Sequence, residues 1–154
     1  MNPNPGRAAA DTSPSKAEWP IPKEGVSVTH LLIVRDVARS RRFYSEVLGA
    51  TVLLDGPTGI LRFHNTWLIL STEGGPTDDR PGIAAIAPHD TTAITSALNL
   101  RVADIYEFYE LWRSRGAEFL TPPKEHSSEI RCYLRDPDGH LIELGQAKQA
   151  GKPQ

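Results

Sequence analysis

Glu143 is the side chain that most needs a partner, because it stands inside the apolar run Leu141-Ile142-Glu143-Leu144. A carboxylate in such a strand is costly unless it meets a cation or a hydrogen-bond donor, and its counter-charge is either a metal or an arginine. Arginines are at hand. Alternation along the strand-like run Ala97–Val102 puts Ala97, Asn99 and Arg101 on one face and Leu98, Leu100 and Val102 on the other. Along Glu129–Leu134, Arg131 and Tyr133 share a face opposite Cys132 and Leu134. A guanidinium fork suits a carboxylate or phosphate, and a tyrosine adds an apolar body with one donor. Asn99, Arg101, Arg131 and Tyr133 are therefore candidate ligand-binding residues, with solvent-facing arginines as the alternative. Glu143 or Tyr133 is a candidate acid or base. His64, in a short connection, and His126, in a Pro-rich one, either close over the mouth of a site or are exposed loop histidines.

Other chemistries lack their signatures. There is no glycine-rich nucleotide loop, no H-E-x-x-H and no G-x-S-x-G. The 154 residues carry 17 Lys and Arg against 19 Asp and Glu, a net charge of −2. That balance argues against nucleic acid as a partner, which needs a clear Lys/Arg excess. No apolar run approaches the ~20 residues of a membrane span, and the N-terminus lacks the apolar region of a secretory signal. The single Cys132 excludes an intramolecular disulfide and a thiolate metal cluster, so cytoplasm is the default location. A small molecule is the expected partner.

An internal repeat positions these residues. Val34-Arg35-Asp36-Val37 returns as Val102-Ala103-Asp104-Ile105, an offset of 68. Each copy follows a β-like run, Val26–Val34 or Ala97–Val102, and opens a helix-like stretch with Asp as N-cap. The helices end at Gly49-Ala50 and Gly116-Ala117, where glycine supplies a left-handed residue. Three strand-like runs follow each helix: Thr51–Leu54, Gly59–Phe63 and Thr66–Ser71 in the first half, then Glu118–Leu120, Glu129–Leu134 and His140–Leu144 in the second. Asp136-Pro137-Asp138-Gly139 is a strong turn signal. The expected architecture is α+β, with two tandem βαβββ modules, about 26–72 and 96–146, inside a single domain over 25–147. A Gly/Pro/Asp/Thr-rich linker spans 73–95. The proline-rich 1–24 reads as a disordered extension on which Trp19 alone is placed to dock, and 148–154 as a polar tail.

Three segments carry a resemblance. They are Thr29-His30-Leu31-Leu32-Ile33-Val34-Arg35-Asp36, the helix Ser40-Arg41-Arg42-Phe43-Tyr44-Ser45-Glu46-Val47-Leu48-Gly49, and Leu134-Arg135-Asp136-Pro137-Asp138-Gly139-His140-Leu141-Ile142-Glu143-Leu144. Together they resemble the vicinal oxygen chelate superfamily, the glyoxalase/bleomycin-resistance/extradiol-dioxygenase group. The resemblance implies two sheets forming an open cup, on a fold that hosts lyases, isomerases, dioxygenases, thiol transferases and binding proteins. It implies up to four metal ligands, from the first and last strand of each module. Glu143 fills the last of these positions. The corresponding residue of the first module is Ile69, and counting back along the first strands reaches Ala97 and Thr29, with His30 one residue out of register. A β-bulge would bring His30 to join Glu143 on one divalent ion, Fe, Mn, Ni or Zn. Without it His30 packs between sheet and helix, and the cup works with no metal. By resemblance to fosfomycin-modifying thiol transferases, Arg131 and Tyr133 line the substrate site. Two readings follow: a bleomycin-resistance-like protein binding a small anionic or aromatic compound, or a divalent-metal lyase, isomerase or dioxygenase. The aromatic residues Tyr106, Phe108, Tyr109 and Trp112 exceed one helical core face and point to a homodimer, with the cup closed within a chain or across two.

Overall fold

Each helix begins at the aspartate that the repeat marks. Asp36 accepts a hydrogen bond from the Arg39 amide at 2.9 Å and opens α1 (Val37–Arg42), which continues as a π-helical segment over Phe43–Val47. Asp104 accepts from the amides of Tyr106 and Glu107 and opens α2 (Ile105–Ser114). Gly49 and Gly116 follow with φ of 84° and 99°, the left-handed geometry expected of helix-ending glycines. The computed structural model describes residues 18–148, so 1–17 of the expected extension and 149–154 of the expected tail lie outside the described residues.

The strands are β1 (His30–Val34), β2 (Thr51–Leu54), β3 (Gly59–Phe63), β4 (Thr66–Thr72), β5 (Leu98–Arg101), β6 (Lys124–Glu125), β7 (Glu129–Arg135) and β8 (Leu141–Ala147). They form two four-stranded sheets of matching order, β1-β4-β3-β2 and β5-β8-β7-β6. In each, the module's first strand runs parallel to its last and the other pairs are antiparallel. This is the α+β duplication expected from the repeat. One strand moves. Glu118–Leu120 makes only an isolated bridge, Phe119 to Leu134, and the edge beside β7 is taken by Lys124–Glu125 instead. Pro122-Pro123 separates the two segments, and proline has no N–H to extend a ladder. The first strand is shorter than the run Val26–Val34, whose Val26 and Val28 are exposed.

Alternation gives each sheet a buried face. Leu32, Val34, Leu61, Phe63, Leu68 and Leu70 line one; Cys132, Leu134, Ile142 and Leu144 line the other, and all belong to one core with Tyr44, Ile105 and Trp112. The modules meet reciprocally. From α2, Trp112 and Phe108 reach the β3–β4 hairpin, with ring centroids 6.4 Å from Phe63 and 6.3 Å from His64. From α1 and its continuation, Tyr44 Oη donates to Asp136 Oδ2 at 2.9 Å and Ser40 Oγ to Asp138 Oδ2 at 3.1 Å, on the β7–β8 hairpin. Arg35 and Arg39 add ion pairs of 3.3 and 3.0 Å to Asp138, whose side chain is fully buried. Burial raises the Asp136 carboxyl and pushes the Tyr44 hydroxyl well above the phenol range. The linker is fastened too: Arg35 Nη2 donates to Pro88 O and Arg135 Nη2 to Thr91 O, each at 2.6 Å. No helix among the described residues is long and apolar enough to cross a membrane.

Candidate functional site

The outward faces of the two sheets differ in chemistry at equivalent register. Across the first sheet, Leu31, Ile69, Ile60 and Leu54 stand side by side, an apolar row in which Leu31 and Leu54 are exposed. Across the second, the corresponding row is Asn99, Glu143 and Tyr133. Cross-strand neighbours share a face, so the strand pairing brings the carboxylate between its two partners. Asn99 Nδ2 donates to Glu143 Oε1 and Tyr133 Oη to Glu143 Oε2, both at 2.6 Å. Arg101 Nη1 lies 4.0 Å from Glu143 and donates to Glu129 Oε2 at 2.8 Å. Arg131 Nε stands 3.3 Å from Glu129 Oε1, and its Nη2 is 3.4 Å from His126 Nε2.

Asn99, Arg101, Arg131, Tyr133, His126 and Glu143, all singled out in the sequence, thus lie in one polar network. Glu129, its anionic hinge, was missed, although the alternation that paired Arg131 with Tyr133 includes it. The hydrogen bond to Glu143, with burial and the carboxylate charge behind it, holds the Tyr133 hydroxyl above the usual phenol range. Tyr133 therefore remains a proton donor at neutral pH. Burial pushes the Cys132 thiol up to about 11, so it is not a thiolate nucleophile.

Beside this network a cavity of about 550 Å³ opens between the modules, lined by His64, Asn99, Arg101, Phe108 and Trp112. His64 sits at the tip of the β3–β4 hairpin with φ of 51°, a left-handed conformation uncommon outside glycine but one that histidine adopts more readily than most residues. The Phe63 ring lies tilted against it at 4.6 Å between centroids, while Phe108 meets it edge-on. A second hollow of about 480 Å³ touches Phe43, Gly116 and the Arg135–Gly139 turn, but Asp136 and Asp138 there are committed to the module junction.

His30 goes elsewhere. It pairs with Leu68 and shares the core-facing side of β1 with Leu32 and Val34, whereas Glu143 is on the outward side of β8. Burial, with the nearby His140, lowers the His30 pKa, favouring the neutral ring. His140 is half-buried, with its Nε2 2.7 Å from the Ile33 carbonyl. A metal centre within one chain fits these residues poorly, since Leu31 and Ile69 offer no donor and both Glu143 oxygens are occupied by Asn99 and Tyr133. Among the described residues no group of three or more His, Cys, Asp or Glu stands ready to hold an ion.

Comparison with known proteins agrees with this architecture. A family model described as the Glyoxalase/Bleomycin resistance protein/Dioxygenase superfamily matches residues 27–144. The chain is 28% identical over 125 residues to the metallothiol transferase FosB of Staphylococcus epidermidis, covering 79% of this chain and 82% of that protein. Its fold is similar to a glyoxalase/bleomycin resistance protein/dioxygenase from Nocardioides, with TM-score 0.66, 22% identity, and coverage of 87% of this chain and 91% of that one. It is also similar to TnmS3, an antibiotic binding protein from Streptomyces sp. CB03234, with TM-score 0.56, 23% identity, and coverage of 81% and 99%.

Proposed function

The chain belongs to the Glyoxalase/Bleomycin resistance protein/Dioxygenase superfamily, and from that membership we propose that it binds a small aromatic or anionic organic compound between its two modules. The observation that carries this reading is the cavity in which Phe108, Trp112 and His64 meet Asn99 and Arg101. Aromatic walls take up a flat apolar body, and a few convergent polar groups fix its orientation. The name of TnmS3, an antibiotic binding protein on a similar fold, supports the same class. A homodimer accords with the exposed apolar row of the first sheet, which a second copy would cover.

The test is a titration of aromatic carboxylates and polycyclic antibiotics against the full chain, followed by tryptophan fluorescence. Saturable quenching, weakened about tenfold or more by Phe108→Ala and by Arg101→Ala, is the expected result. Quenching that neither variant alters would remove the cavity from consideration. The name metallothiol transferase on a relative keeps one competing reading in view, a divalent-metal enzyme in which Glu143 is a ligand and His30, on the core-facing side of β1, is not. Metal analysis of protein incubated with Mn, Ni or Zn decides it: stoichiometric metal lost in Glu143→Gln favours the enzyme, and substoichiometric metal in both proteins favours binding alone.

A further inference from the structure

The row beside Asn99, Glu143 and Tyr133 holds cations around a gap. Register places Arg101 and Arg131 on either side of Gly145, with Lys124 beyond Arg131 on the edge strand. A Cβ at position 145 would fall 2.8 Å from the Arg101 Cζ and closer still to its Nη1. The Arg101 guanidinium therefore lies across the backbone of β8, in space that any other residue would fill. From there it reaches Glu129 on β7, which Arg131 approaches from the other side. An interior glycine weakens a strand unless something must approach its backbone, and here that something is a guanidinium.

We propose that Arg101, Gly145, Arg131 and Lys124 form a seat for the oxyanion of the ligand, a carboxylate, phosphonate or phosphate, and that Glu129 is the internal anion the ligand displaces. The inference rests on the binding function proposed above and adds to it the charge of the ligand's head group. Two guanidiniums held about one carboxylate present the fork geometry that planar and tetrahedral oxyanions accept. The arginine side chains are 47% and 34% exposed, so an incoming anion reaches them from solvent. Glu129 offsets part of the seat's positive charge when it is empty. Removing its charge strengthens anion binding, whereas filling the gap at 145 displaces Arg101 and weakens it.

The probe is phenylphosphonate, with benzamide as its neutral counterpart. Binding is followed by calorimetry and by the NMR signals of the Arg101 and Arg131 Nε–H groups. Glu129→Gln is expected to bind phenylphosphonate at least about fivefold tighter than the wild type, and Gly145→Ala about tenfold weaker. Arg101→Gln, which leaves the strand backbone untouched, should match Gly145→Ala, and the double variant should lose no more than either alone. Equal or weaker binding by Glu129→Gln overturns the proposal, as does wild-type affinity in Arg101→Gln or benzamide binding as well as phenylphosphonate. A probe that shifts the arginine signals but is indifferent to positions 129 and 145 sinks this inference and leaves the binding function standing. A probe that shifts none of them counts against both.

Discussion

One residue of register separates a packing role from a surface one. His30 and Glu143 both sit in apolar strands, yet Glu143 turns outward to Asn99 and Tyr133 while His30 turns inward with Leu32 and Val34. The sequence left both faces open for His30, because a bulge before Asp36 would have reversed it; the pairing with Leu68 decides. Its lowered pKa has a definite sign in stability. The folded protein favours the neutral ring, so as pH falls through 6.5 the unfolded chain takes up the proton first. The contribution is complete above that value and is lost below it. His30→Gln should therefore flatten the decline in melting temperature between about pH 7.5 and about pH 5, relative to wild type. Parallel melting curves for the two proteins across that range would refute the assignment. His64, for which the sequence offers either closure over the mouth of a site or an exposed loop position, lines the cavity.

Most elements were legible because local chemistry and pattern agreed. Asp36 and Asp104 mark the helix starts, Gly49 and Gly116 the ends, and alternation the strand faces. The cap at Asp104 serves two orphan amides at once, so Asp104→Ala is expected to cost about 1 kcal/mol in urea denaturation, with Asp104→Asn restoring most of it. An unchanged midpoint in the alanine variant would mean that packing of Ile105, Tyr109 and Trp112 alone holds α2. The fourth strand of the second sheet was not legible. Glu118–Leu120 has the right composition, but pairing partners are chosen in three dimensions, and Lys124–Glu125 is a two-residue edge with no hydrophobic pattern to announce it. The π-helical turn at Phe43–Val47 has no sequence signature either. Of the site, the residues were readable and their mutual contacts were not: nothing local states that Arg101 bridges to Glu129.

At the scale of the molecule, the junction between modules is built from buried charge as well as apolar contact. Asp138 takes Ser40, Arg35 and Arg39 onto its two oxygens, while Asp136 takes Tyr44. Both arginines are about two-fifths exposed and regain water when Asp138 is lost, so the cost falls below that of a wholly buried pair. Asp138→Ala is expected to lower unfolding free energy by about 2 kcal/mol, with a single denaturant transition if the modules remain one cooperative unit. Two transitions would show that this turn couples them. The rows on the outward faces carry a different consequence. In a saturation-mutagenesis screen, Leu31, Ile60 and Ile69 should accept other aliphatic residues and be scored by abundance. Asn99, Glu143 and Tyr133 should be nearly silent for abundance and register only when the ligand is present. The duplicated halves would then separate, position by position, into one that answers to expression and, on the proposed function, one that answers to ligand selection.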